Sequence, residues 1–102
     1  MTTKLKIYNE LRKYLWKTKD CFDGIQYIFR FPSNYGASVI KHDGSYGYKD
    51  DLWEMALIWF DENDEWDLIY EGEFVDDVKG HLTDVRVNEL LEWIKNYNGE
   101  DA

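Results

Sequence analysis

Hydrophobic positions along this chain change their spacing several times, and each change marks an element. Leu5, Tyr8, Leu11 and Leu15 recur every three or four residues, with Ile7 and Tyr14 widening the stripe. That spacing predicts an amphipathic first helix, with Lys6, Glu10, Lys13 and Lys17 on another face and Thr2 or Thr3 as its cap. Asp23-Gly24 ends the unit as a turn. Ile25, Tyr27, Phe29 and Phe31 then alternate with Gln26, Ile28 and Arg30, the period of a strand. Pro32-Ser33-Asn34-Tyr35-Gly36 breaks it, and Ala37 to His42 reads as a second strand closed by Asp43-Gly44.

Leu52 to Phe60 is the most apolar run. Trp53, Met55, Leu57 and Trp59 share one face, and Leu52, Glu54, Ala56, Ile58 and Phe60 the other. With both faces largely apolar, this third strand belongs inside a sheet, with Glu54 near an end. Asp61 to Glu65 is a polar turn, and Trp66, Leu68 and Tyr70 form the expected inward face of a fourth strand. Phe74 to Lys79 reads as a short helical turn closed by Gly80. Thr83 fits the N-cap of a last helix, Asp84 favours the positive end of its dipole, and Leu82 can staple Val87. Val87, Leu90, Leu91 and Ile94 give it a buried stripe. The expected fold is α+β in two layers: an antiparallel four-stranded sheet flanked by an N-terminal and a C-terminal helix.

The 102 residues suggest one domain, residues 1–102, long enough to bury a core without metals or staples. No repeat, low-complexity stretch or linker divides them. Five Trp, eight Tyr and five Phe are more rings than so small a core hides, so some are expected at the surface, where they also allow a weak homo-oligomer. Cys21 is the only cysteine, which fits a reducing compartment. The opening MTTKLKIYNE has no apolar signal-peptide core, and Met55 to Phe60 is too short to span a bilayer. A cytoplasmic protein is expected.

Charge changes the picture more than composition does. Residues 1–50 hold nine Lys/Arg against five Asp/Glu, a net of +4; residues 51–102 hold three against sixteen, a net of −13. From Asp51 to Asp77 there are eleven carboxylates and no base. Such a surface repels nucleic acid and membrane headgroups and attracts basic proteins. Asp61, Glu62, Asp64, Glu65 and Asp67, with Tyr46 and Tyr48 of the Gly-Tyr loop, are the expected partner-binding residues. A neutralising role for Lys6, Lys13 and Lys17 is the rival account of the acidic segment. Arg30, Lys41, His42 and Tyr46 make an alternative pocket for an anionic or nucleotide-like ligand.

Other chemistry finds no pattern. His42, His81 and Cys21 lack the spacing of a zinc site, and no cofactor is implied. Counted from Asp61, a calcium loop needs Gly and Glu where Trp66 and Gly72 stand. Gly44, Ser45, Gly47 and Lys49 match neither phosphate-loop nor dinucleotide spacing. Asp76-Asp77 reads as ordinary dipole complementation, and no residue set argues for an enzyme.

Three blocks carry a resemblance: FRFPSNYGASVI (Phe29 to Ile40), SYGYKDDLWEMALI (Ser45 to Ile58) and FVDDVKGHL (Phe74 to Leu82). Together they resemble a family of small phage-encoded proteins of unassigned role, whose pattern runs F-P-N-G-Y-G-A-S-V, then Y-G-G with L-W-E, then D-D-V-x-G-x-L. The chain departs from it at Ser33-Asn34 and at Tyr48-Lys49-Asp50. The resemblance implies a phage or prophage origin and an accessory role in the host cytoplasm. It supplies no catalytic or ligand residues. The function expected is therefore non-enzymatic binding to a basic host protein, such as a nucleic-acid-binding defence or replication protein, in which acidic side chains take the place of phosphates. Small-ligand binding or sequestration through the Gly-Tyr loop is the alternative, and a minor enzyme the third.

Overall fold

The computed structural model describes residues 4–21, 24–41, 52–69 and 79–97. Its elements are α1 (Asn9–Arg12), β1 (Leu15–Cys21), β2 (Gly24–Arg30), β3 (Tyr35–Lys41), β4 (Trp53–Phe60), β5 (Trp66–Leu68), β6 (Lys79–Leu82) and α2 (Asp84–Lys95). All pairings are antiparallel, in the order β1-β2-β3-β4-β5, and β6 also pairs with β4. β5 aligns with Ile58 to Phe60 and β6 with Trp53 to Met55, so the two short strands share one edge of β4. The α+β class is as expected. The strand count is not: among the described residues, six strand segments stand where four were expected.

The extra strands correct two expectations. The helical stripe ends early. α1 spans only Asn9–Arg12, and residues 15–21 pair with β2 as an edge strand. The capture begins at Tyr14, whose carbonyl accepts the Arg30 amide at 2.9 Å. Upstream, Leu5 and Ile7 are buried on either side of exposed Lys6, an extended pattern rather than a helical one. At the other end, Lys79 and Gly80 lie in β6 rather than closing a helical turn; residues 70–78, which hold most of that expected turn, lie outside the described residues.

One face of the sheet carries the main core. Tyr27, Phe29, Val39, Trp53, Met55 and Leu57 pack there with Leu5, Ile7 and Leu11 from the N-terminal segment and with Val87, Leu91 and Ile94 of α2. Helix α2 starts where the sequence places it, with Thr83 Oγ1 accepting the Arg86 amide at 3.2 Å. Its Asn88 is fully buried. Asn88 Oδ1 accepts the Tyr8 amide at 2.9 Å, and Nδ2 donates to the carbonyls of Lys6 and Asp84 at 2.8 and 2.7 Å. Asp84 accepts from the Trp53 indole at 2.7 Å and from the Lys6 amide at 3.2 Å. The irregular segment before α1 is thus held to α2 through its own backbone groups, which have no strand or helix partner of their own.

No helix among the described residues lies over the opposite face. Ile28, Ile58 and Phe60 are buried there beneath half-buried Trp66. Phe60 is covered further by the Trp16 ring, edge-on at 5.1 Å, and by the Arg30 guanidinium at 4.6 Å. Trp16 reaches it from a bulge in β1 between Leu15 and Lys17. Gly36 makes the room: a Cβ there would collide with the Phe29 carbonyl and press on the Phe60 ring at 3.1 Å.

Trp53 and Trp59 share a face of β4 but not a burial. Trp53 is 0% exposed and Trp59 39%, because α2 covers the first and leaves the second at its rim. Trp53→Ala is expected to cost about 3–5 kcal/mol. Trp59→Ala should cost about 1–2 kcal/mol, since less area returns to water. Chemical denaturation of both variants checks the order. In the same assay Gly36→Ala should lose about 1–3 kcal/mol or more through overpacking. Asn88→Ala should lose about 2–4 kcal/mol by stranding the Tyr8 amide and the Lys6 carbonyl.

Candidate functional site

The acidic turn after β4 has a defined build. The Asp64 amide donates to the Asp61 carbonyl at 3.1 Å, and the Asp61 amide to the Glu65 carbonyl at 2.8 Å. Asp64 adopts φ 62°, so the hairpin is a type I turn followed by a left-handed residue. The Asp61 carboxylate accepts the amides of Asn63 and Glu65 at 2.8 and 3.1 Å, stabilising the turn from within. The β2–β3 turn repeats the plan. The Asn34 amide donates to the Phe31 carbonyl, the Phe31 amide to the Tyr35 carbonyl, and Asn34 sits at φ 72°. Pro32 at the second position sets the φ that such a turn needs.

Arg30 joins the two turns. Its guanidinium donates to Asp64 Oδ1 at 2.7 Å and to Asn34 Oδ1 at 3.2 Å while lying over Phe60. Two of the five expected partner-binding carboxylates therefore have structural duties, Asp61 in its own turn and Asp64 against Arg30. Glu62, Glu65 and Asp67 are exposed, and their side chains have no ion-pair or hydrogen-bond partner among the described residues. The base facing the acidic turn comes from β2, not from the first helix: Lys17 lies over Trp16, with Nζ 5.8 Å from the ring.

Beside these carboxylates runs a line of rings. Trp59 and Tyr35 are cross-strand partners with centroids 4.8 Å apart, Tyr35 meets Tyr97 at 4.8 Å, and Tyr97 stacks on Trp93 at 5.0 Å. Trp59 and Trp93 are 39% and 37% exposed, enough to offer ring surface to a partner. Asp67 is the partner of Trp59 on β5, so its carboxylate lies on the same face. The surplus of aromatic residues suggests exposed rings, but Tyr35, Trp93 and Tyr97 go unmarked in the sequence. Only the pairing of β3 with β4 and the docking of α2 bring them together.

The alternative anion pocket does not form from its described members. Arg30 and Lys41 stand at opposite ends of the β2–β3 ladder, paired with Gly36 and Ile25. Arg30 lies on the helix-free face, engaged by Asp64 and Asn34. Lys41 is 2% exposed on the helix-covered face, its Nζ 4.1 Å from the Trp53 ring centroid. His42, Tyr46 and Tyr48 lie outside the described residues. Among the described residues, no group of three His, Cys, Asp or Glu could hold a metal ion, and no helix is long and apolar enough to cross a membrane. Comparison with protein-family models, curated proteins and solved structures finds no match.

The Arg30–Asp64 pair is partly solvated, with side-chain exposures of 24% and 67%. Asp64→Asn, which keeps a side chain that tolerates the left-handed conformation, is expected to lower stability by no more than about 1 kcal/mol, a loss that shrinks in high salt. Melting curves at two ionic strengths check both points.

Proposed function

We propose that this chain is a non-enzymatic binding protein that docks on a basic surface of another protein, using the acidic and aromatic end built by the two Arg30-linked turns. One observation carries the reading: Glu62, Glu65 and Asp67 are exposed with no ion-pair partner among the described residues, and Asp67 stands across from the half-exposed Trp59. Aromatic anchors ringed by charge suit an interface in which rings supply buried area and carboxylates supply attraction and orientation. A nucleic-acid-binding protein has the basic surface required, and the carboxylates would meet it as phosphates do. The resemblance to small phage proteins points to a host defence or replication factor in the cytoplasm as the partner.

The test is a charge reversal that spares the structural carboxylates: Glu62→Lys, Glu65→Lys and Asp67→Lys together. The folded protein should melt within a few degrees of the parent, because exposed changes move stability little. Captured basic proteins from a bacterial lysate should bind the variant at least about tenfold more weakly, through a slower on-rate with shallower salt dependence. Unchanged on-rates and salt dependence for the captured proteins would overturn the reading.

A further inference from the structure

Neighbouring residues of β4, Trp59 and Phe60, turn a ring to each face of the sheet, and among the described residues only one of the two rings has a cation over it. Phe60 carries the Arg30 guanidinium, 4.6 Å from its centroid, and the same guanidinium donates to the Asp64 carboxylate at 2.7 Å. Ring, guanidinium and carboxylate thus close on one another within the chain. Trp59 has the ring and the carboxylate. Asp67 is its direct partner on β5, and such partners share a face with their Cβ atoms about 4.5–5.5 Å apart. Asp67 is exposed, and its carboxylate makes no ion pair or hydrogen bond among the described residues. The Trp59 ring is 39% exposed and meets Tyr35 at 4.8 Å and 63°. An edge-to-face contact occupies at most one face of the indole and leaves the other. Trp16 is as exposed, at 42%, but Lys17 lies over it.

A group that uses both members of the Trp59–Asp67 pair is cationic, lies flat on an indole and donates from its rim to a carboxylate beside the ring. A guanidinium meets all three conditions: it is planar, weakly hydrated and donates in its own plane. An ammonium is attracted to the ring and to the carboxylate, but it is a compact, strongly hydrated point charge with no plane to stack. We propose that the Trp59–Asp67 pair receives an arginine side chain of the partner, its guanidinium stacked on the indole and bonded to Asp67, as Arg30 lies on Phe60 beside Asp64. That the arginine is carried by a polypeptide rests on the function proposed above; the assignment adds the residue type that this surface selects from a basic partner. Glu62 and Glu65 act at longer range and draw basic chains in general, whereas the Trp59–Asp67 pair distinguishes arginine from lysine.

The probes are acetyl-Gly-Arg-Gly-Arg-Gly-amide and its lysine counterpart of equal charge, titrated into the isotope-labelled protein and followed by the indole signals of Trp59 and Trp16. The arginine peptide is expected to bind the parent about two- to fivefold more tightly than the lysine peptide. It should move the Trp59 indole signal, while that of Trp16, covered by Lys17, stays in place. Trp59→Leu should bring the arginine peptide down to the lysine level. Asp67→Asn should weaken it severalfold with the melting temperature unchanged, as for other exposed positions. Equal binding of the two peptides, Trp59 and Trp16 signals that move alike, or an arginine preference that survives Trp59→Leu would overturn the assignment, and the peptide comparison on the parent needs no variant to fold. If basic proteins are captured but the arginine peptide has no advantage, this assignment falls and the broader reading stands. If the arginine preference and the Trp59 shift are found but no basic protein is captured, the broader reading falls alone.

Discussion

The Trp53 indole can be buried only if its N–H finds an acceptor, and the acceptor is Asp84 in the first turn of α2. The same carboxylate takes the Lys6 amide, and Asn88 one turn later takes the Tyr8 amide. Three parts of the chain, separated by 31 to 80 positions, are therefore satisfied together or not at all. Asp84 is stabilised further by the positive end of the helix dipole. Tyr27 meets the Trp53 ring edge-on at 5.7 Å, and its hydroxyl accepts the Leu5 amide, which closes the arrangement from β2. Such long-range coupling makes the main core cooperative: loosening the N-terminal segment also exposes the central tryptophan.

The two faces of the sheet solve burial differently. The helix-covered face excludes water with α2 and the N-terminal segment. The other has no second layer among the described residues, and there Phe60 is buried by single side chains, Trp16 from one edge and Arg30 from β2. Arg30 could have been a ligand cation, yet its position above Phe60 and between two turn residues commits it to structure. The turn it fixes presents Glu62 and Glu65 outward. A charge that reads as chemistry in the sequence is spent on holding the chemistry of its neighbours in place.

Much of this fold was legible where burial is regular. β2, β3 and β4 alternate, and α2 shows its cap, its charges and its stripe. β1 was not legible, because none of its residues from Trp16 to Asp20 is buried and only pairing with β2 makes it a strand. Leu15 continues the spacing of Leu11 equally well for a helix. Leu5 and Ile7 did carry a period of two, but in so short a piece the longer three-and-four spacing outweighed it. β5 also departs from its expected facing. Leu68 is exposed and Ile69 packs toward the main core, because the register with β4 turns Asp67 and Ile69, not Trp66 and Leu68, to the face that carries that core. For the site, the acidic turn was readable from composition, whereas its division into structural and outward carboxylates depends on Arg30, distant in sequence. The ring line depends on register, which no local pattern reveals.

The placement of β5 and β6 end to end along β4 leaves β1 as the long strand with an open hydrogen-bonding edge among those described. Open edges invite strands from other molecules, and this one is ill suited to accept them. It carries Lys17 and Lys19 in its middle, and the bulge at Trp16 spoils the regular ladder that an incoming strand requires. A net charge of −9 keeps copies apart at long range, but those two lysines act at the contact itself, where a second lysine-bearing edge would have to lie. Resistance to aggregation at high concentration is thus written into the one strand whose sequence looked least like a strand.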